Sequence, residues 1–419
     1  MNQTLLVLAN LALAIALLRC VQVPAGLRPW LILLATIALA SSGKVISLLW
    51  SAPFALSLAL PAVAALSISR IPRASGDAPV GPAPNWTRLA FIAATSISLL
   101  AVILRLFRFP DGGNDAFIIW NLRARWLFLA PDARSAFSPD ILFWTHQDYP
   151  LLLPGAVVQG FALAGSASRV VPAVIALLFG AALVGISIAG APPDKRWLVG
   201  FALVTTPALV TQIPTEQADV PAAAFVAAAM ALLLSRAPGD RRALAAAGAF
   251  ASMAAWTKNE GALHLLLLGA IVLLETRRLR DLRAFVAGAL PFIVLLVLFK
   301  AWVAPGNDLL QQSVGPALHR ALTPERWWLL VTLIGRRLVL LQAWGLHLLC
   351  LIAWLFVTRK GAAASRRIRL LSLVPILTIA AYLGILLAQP HDLAFMFKVT
   401  IDRLLLQIWV PILLVVARS

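Results

Sequence analysis

"TQIPTEQADVPAAAF" (Thr211–Phe225) decides how this chain folds. A short polar turn carrying Glu216, Gln217 and Asp219 leads into an apolar run that extends to about residue 235. In lipid, every backbone N–H and C=O must find its partner within the segment, so a run of this kind is a helix. The helix dipole favours a carboxylate at its N-terminus, and that alone would explain Asp219. Two acids and a Gln at one turn are more than a helix start requires.

The same alternation recurs along the whole sequence. Of 419 residues, 61% are hydrophobic and only 12% are charged. The mean hydropathy is +0.90. A soluble domain carries about 25% charged residues. Apolar runs near the bilayer-spanning length of about 20 residues are frequent. They predict helices over 4–18, 29–42, 45–68, 89–106, 150–164, 169–189, 197–211, 219–235, 243–257, 261–275, 284–304, 341–358, 369–388 and 402–417. Two further segments, 114–130 and 324–340, read as helices lying in the membrane interface. The strand alternation of a membrane β-barrel is absent. The fold class is all-α: a polytopic integral membrane protein, a helical bundle of about 11–14 spans with interfacial helices in its exoplasmic loops.

The net charge of +18 reflects topology rather than nucleic-acid binding, because the basic residues sit in short loops between apolar runs. Arg70 and Arg73, Lys195 and Arg196, Arg236 to Arg242, Arg277 to Arg283 and Arg359 to Arg369 mark one side. By the positive-inside rule that side is cytoplasmic. The opposite loops (107–150, 211–219, 257–261, 305–326 and 389–403) hold 12 of the 17 acidic residues. Loop charge also favours a re-entrant piece over a full span for 150–164. Cys20 and Cys350 lie far apart in apolar stretches and make neither a disulfide framework nor a metal cluster. Thr4–Leu18 reads as a retained span, since no basic segment precedes it. The chain divides into N-terminal helices (1–73), a Pro/Gly-rich cytoplasmic linker (74–87) and a core (88–419) whose first large outer loop is 107–150.

The polar stretches of the outer loops carry the chemistry. In "PDGGNDAFIIWNLRARWLF" (Pro110–Phe128), a helix from about Asn114 places Asn114, Asn121 and Arg125 on one stripe. Asp111, Asn114 or Asp115 would also serve as a helix cap. "WTHQDYPLLLPG" (Trp144–Gly155) brings His146, Asp148 and Tyr149 before a Pro-bounded helix; no third metal ligand is local. "AAWTKNEGALH" (Ala254–His264) holds Lys258, Asn259 and Glu260 between two helices too short to hide them. Charges so near the apolar phase are costly and mark functional sites; a Lys258–Glu260 ion pair is the plain alternative. "QPHDLAFMFKVTIDRLLLQIW" (Gln389–Trp409) gathers His391, Asp392, Lys398, Asp402 and Arg403, with Asp402 and Arg403 expected in the first turn of the last helix.

Taken in order, "NDAFIIWNLRARWLF", "HQDYPLLLP", "ADVP", "TKNEG" and "DRLLLQIW" resemble the GT-C superfamily of membrane glycosyltransferases, in the branch of protein O-mannosyltransferases and lipid A aminoarabinose transferases. The resemblance covers about 88–419. The motifs are short, and their shared order carries it. Relatives often have an aromatic before the loop Asp; here that position is Asn114, which keeps both Asp111 and Asp115 in view. The resemblance implies an enzyme that takes a sugar from a polyprenyl-phosphate donor and gives it to a lipid, glycan or protein acceptor. The acceptor hydroxyl needs a base, and a carboxylate held in a hydrophobic loop can have its pKa raised into a useful range; Asp115 is the candidate, with Asp219 and Glu216 placing hydroxyls. Lys258, Arg403 and Arg125, in that order, would stabilise the leaving phosphate. No cofactor is expected and metal independence is the expectation. Single displacement with inversion would follow.

Two other classes remain. A flippase or transporter of a lipid-linked saccharide would carry mid-membrane charges on broken helices and often internal repeats; no repeat is evident and the ionisable groups gather at the outer face. An inactive partner that kept the fold is the other. Composition suggests a bacterial inner membrane, with the site on its exoplasmic face.

Overall fold

The computed structural model describes residues 3–51, 85–138, 145–306, 313–339, 344, 347–348, 350 and 365–418. The described residues form helices and contain no strand. The helices are α1 (Gln3–Arg19), α2 (Arg28–Trp50), α3 (Asn85–Arg108), α4 (Asn121–Leu129), α5 (Leu152–Ala164), α6 (Val170–Gly190), α7 (Arg196–Val204), α8 (Pro207–Gln212) and α9 (Asp219–Ser235). There follow α10 (Arg241–Thr257), α11 (Glu260–Thr276), α12 (Leu279–Trp302), α13 (Val314–Leu322), α14 (Pro324–Val339), α15 (Arg366–Leu371), α16 (Leu373–Ala388) and α17 (Leu393–Val416). Among the described residues six segments are long and apolar enough to cross a membrane (α2, α3, α6, α12, α15 with α16, and α17), or seven if α7 and the segment after its bend form one span; α1, α5 and α9 are shorter apolar helices.

Helix α9 is the axis of the bundle. Every residue from Asp219 to Leu234 is buried. It packs against α6, α10 and α17. Its composition makes this possible: alanines at 222–224, 227–229 and 231 leave room for neighbours on all sides. Small residues let membrane helices approach backbone to backbone, where dispersion and weak polar contacts replace the missing hydrophobic drive. The closest approach is between α10 and α12. A Cβ at Gly248 would lie 1.9 Å from the Phe285 carbonyl oxygen, and one at Gly288 would lie 1.8 Å from that of Ala245.

The periphery has the opposite character. Of the 24 residues of α3, only Thr87 and Val102 are buried. Leu89, Ile97, Leu100, Leu104 and Phe107 are all exposed. An apolar surface of this extent is tolerated in lipid and not in water. The N-terminal helices pack directly on the rest. The Ser41 hydroxyl donates to the Leu152 carbonyl at 2.6 Å, and Trp30 fills the space beside Gly185.

Four departures from the sequence reading stand out. Helix α2 runs unbroken through Ser41–Ser42–Gly43, where two helices are expected; the rest of the second, with linker residues 74–84, lies outside the described residues. The helix expected over 197–211 breaks at Thr205–Thr206, and its halves meet at 56°. Pro207 explains this: it lacks an N–H and pushes the preceding residue to the extended conformation found at Thr206. The last helix starts at Leu393, not 402, capped by Asp392, whose carboxylate accepts from the Phe395 N–H at 2.6 Å. Leu393, Phe397, Ile401 and Leu404 give it a buried stripe from its first turn, so Asp402 and Arg403 lie in its third turn. Finally, Ala116–Trp120 forms a π-turn before α4.

Gly248→Leu should destabilise the detergent-solubilised protein by more than the about 1–3 kcal/mol typical of overpacking, seen as a sharp fall in its thermal unfolding temperature. Gly315→Leu, where an added Cβ meets nothing, should leave it unchanged.

Candidate active site

The N-terminus of α9 brings Asp219 to a fully buried position. Its carboxylate is surrounded by donors: Lys258 Nζ at 2.8 Å, Gln407 Nε2 at 2.8 Å and Arg403 Nε at 2.9 Å. It does not cap its helix. Arg403 also donates through Nη1 to Asp115 at 2.5 Å. Lys258 also pairs with Glu260 at 3.0 Å. Asp115, Asp219, Lys258, Glu260 and Arg403 thus form one hydrogen-bonded chain of charges, drawn from segments up to 288 positions apart. Burial works against the Lys258 ammonium, but Asp219 and Glu260 outweigh it and hold its proton more firmly than an ordinary lysine does. The cluster is most open at Asp115, whose side chain is 29% exposed, against 4% for Lys258.

Two residues that the sequence reading passed over complete this arrangement. Tyr382 O–H donates to Gln407 Oε1 at 2.9 Å, which turns the Gln407 amide N–H toward Asp219. The available signal was placement: Gln407 follows Arg403 by four residues, about one helical turn on, among apolar neighbours.

A second layer forms around the turn that precedes α9. Glu216 adopts a left-handed conformation (φ 55°) and accepts from Asn121 Nδ2 at 2.7 Å. Burial pushes the Glu216 carboxyl up to about 7, with the Asn121 hydrogen bond opposing. Gly112, at φ +75°, lets the first loop close on this turn; a Cβ there would sit 2.8 Å from the Thr215 carbonyl oxygen. The Gly113 N–H donates to that same oxygen at 3.0 Å. Asp111 is paired with both Arg125 and Arg169, each at 3.1 Å.

The third element is the segment before α5. Asp148 is buried and accepts from Asn259 Nδ2 at 2.9 Å and Lys300 Nζ at 3.2 Å; Lys300 also donates to the Asp148 carbonyl. Buried Arg123 donates to the carbonyls of Thr145 and Gln147. His146 stacks on Tyr149, which in turn stacks on Trp120, at 4.8 and 5.3 Å between ring centres. Tyr149 loses its proton less readily than usual, because burial and the negative charge of Glu260 both resist phenolate formation. Lys300 and Arg123 are further residues not singled out from sequence; a lone lysine ending an apolar helix was the readable signal for the first.

Not every expected residue joins. Asn114 is exposed, whereas Asn121 is buried. The π-turn adds to the residues per turn and shifts the stripe expected for a regular helix. His391 is exposed at the turn before α17, away from the buried cluster. Asp402 pairs with Arg337 of α14 and not with the Asp219 cluster. Among the described residues, no three His, Cys, Asp or Glu side chains are grouped to hold a metal.

The other ends of α9, α10 and α11 carry the basic residues. Arg236 and Arg367 share Glu275, and Arg241 pairs with Asp281. A 17-residue helix separates the two ends by about 25 Å.

Replacing Asp219 with Leu leaves two buried cations short of a partner. This should cost about 3–5 kcal/mol, whereas Asp111→Asn, at a part-exposed pair, should cost about 0–1 kcal/mol. Denaturation of both variants in detergent would measure the difference.

Among known families, one described as a predicted membrane protein (DUF2142) matches residues 157–325. No curated protein and no solved structure matches. The matched region runs from α5 into α14 and includes Glu216, Asp219, Lys258 and Glu260, with Asp115 and Arg403 outside it. The chain is an all-helical polytopic membrane protein that is similar to this family over its central helices.

Proposed function

We propose that the chain is a membrane glycosyltransferase that transfers a sugar from a polyprenyl-phosphate donor to an acceptor hydroxyl on the exoplasmic face. One observation carries the reading: Asp115, Asp219, Lys258 and Arg403, far apart in sequence, meet in one partly buried charge cluster at one end of the bundle. The Arg-rich end lies opposite and would be cytoplasmic by the positive-inside rule. A lipid-linked donor suits this layout, with its chain in the bilayer and its phosphate at the interface.

The residues divide the work by exposure. Asp115 is the reachable carboxylate and is the base. Arg403 is the cation that faces it. When a donor phosphate takes over Arg403 Nη1, the Asp115 oxygen that accepted from it is freed for the acceptor hydroxyl. The acceptor oxygen then attacks the anomeric carbon as its proton passes to Asp115. The bond from the anomeric carbon to the phosphate oxygen breaks with its electron pair on the phosphate, through an oxocarbenium-like state. A single displacement inverts the anomeric configuration. Asp219 does not touch the substrate in this scheme. Fully buried, it is a positioning residue that holds Arg403 and Lys258. The donor sugar, the acceptor and a bacterial inner-membrane setting belong to the same proposal.

Membranes holding wild type or Asp115→Asn would be incubated with a panel of labelled polyprenyl-phosphate sugars and plausible acceptors. Wild type should release sugar from one donor, and Asp115→Asn should lose about 100-fold or more of that rate while unfolding at the same temperature. Absence of release from every donor overturns the reading. Retention of the anomeric configuration in the product overturns the single displacement.

A further inference from the structure

The segment "LETRRLRDLR" (Leu274–Arg283) joins α11 to α12 at the Arg-rich end of the bundle. Arg277, in a left-handed conformation (φ 54°), ends α11 and turns the chain toward α12. Both acids of the segment are drawn inward. Glu275 accepts from Arg236 and Arg367 at 2.6 and 2.8 Å, and buried Asp281 accepts from Arg241 at 3.1 Å. The four arginines of the segment, Arg277, Arg278, Arg280 and Arg283, are all exposed, and none pairs with an acid among the described residues. Arg366 joins them: it is exposed and its Nη2 donates to the Leu274 carbonyl at 2.8 Å, at the end of α11.

Topology requires that arginines lie on this side. It does not require that the acids among them be withdrawn. The outcome is a strongly positive surface, and its position indicates what covers it. One face of α12 packs on α10. Another is an apolar stripe: Leu279, Val286, Leu290 and Val297 fall at offsets of 7, 11 and 18 residues, which return to one face, and all four are exposed. Arg283 stands at the edge of this stripe, three residues before Val286 and seven before Leu290. The cations therefore sit directly above a surface that faces acyl chains, at the level of the lipid phosphates. An arginine so placed lays its stem along the chains and its charge among the headgroups. Its guanidinium donates two parallel hydrogen bonds to phosphate oxygens.

We propose that the α11–α12 turn, with Arg366, is a binding surface for anionic phospholipid, whose phosphate the arginines hold while its chains lie along the α12 stripe. A zwitterionic lipid also offers a phosphate, but its own cation offsets the charge, so the surplus of arginine selects the anionic one. The inference is independent of glycosyl transfer, and its test needs no substrate.

The full-length protein in uncharged detergent micelles would be titrated with fluorescent phosphatidylglycerol, or with phosphatidylcholine carrying the same label, and binding followed by energy transfer from its tryptophans. Wild type should bind phosphatidylglycerol more tightly, by a margin that shrinks as salt is raised. Arg280→Gln with Arg283→Gln should weaken phosphatidylglycerol binding by roughly 5-fold per arginine removed, while phosphatidylcholine binding and the unfolding temperature stay as in wild type. Arg19→Gln with Arg196→Gln removes the same charge from exposed positions outside the patch and should leave the binding of both lipids unchanged. Equal affinity of wild type for the two lipids overturns the proposal, whether or not the variants fold. So does an equal loss in the two double variants. Displacement of the labelled lipid by inorganic phosphate at matched concentration and ionic strength would give the arginines to a soluble anion and overturn the choice of occupant.

Discussion

A single buried carboxylate organises this protein. Asp219 is 0% exposed, and a lone ionised carboxylate in such a place is too costly to persist. It persists because three donors converge on it from two other segments, Lys258 from the end of α10 and Arg403 and Gln407 from α17. That requirement fixes the rotation of α17 about its axis and the place where α10 ends. It also explains why Arg403, drawn inward by Asp219, still has an N–H left for Asp115 at the rim.

The packing that surrounds this carboxylate follows a different rule. Helices α9 and α10 are rich in Ala, and the backbones of α10 and α12 nearly touch at Gly248 and Gly288. Tight packing here brings the ends of α9 and α10 close enough for short polar side chains to meet. The outward helices, α3 above all, carry large aliphatic residues that face lipid. Small residues at the centre and large ones outside reverse the arrangement of a soluble core, as expected where lipid and side chains are equally apolar.

Much of this is legible in the sequence, and the exceptions have physical causes. Hydropathy located the apolar helices, because a bilayer tolerates little else. The alternation of Arg-rich and acid-bearing loops told which helix ends lie together, and it drew Asp115, Asp219, Lys258 and Arg403 into one group. Partners were harder to see. Lys258 has Glu260 two positions away and does pair with it, yet its shorter contact is with Asp219, 39 residues earlier. Lys398 interrupts the hydropathy and makes α17 look shorter than it is, although the buried stripe of Leu393, Phe397 and Ile401 continues past it. The π-turn at Ala116–Trp120 has no sequence mark that we can identify. Tyr382 and Gln407 were hidden by their setting, each flanked by apolar residues, and their roles appear only when both helices are in place.

The order of the partners along the chain has a consequence for how the protein is made. Asp219 is synthesised 39 residues before Lys258 and 184 residues before Arg403. At ordinary rates of about 5–20 residues per second, Lys258 follows within a few seconds, whereas Arg403 and Gln407 follow only after about 10–40 seconds. During that interval Lys258, the first of the three side-chain donors to Asp219 to be made, is the one that has already been synthesised. The last helix to arrive is the one that locks the carboxylate in place.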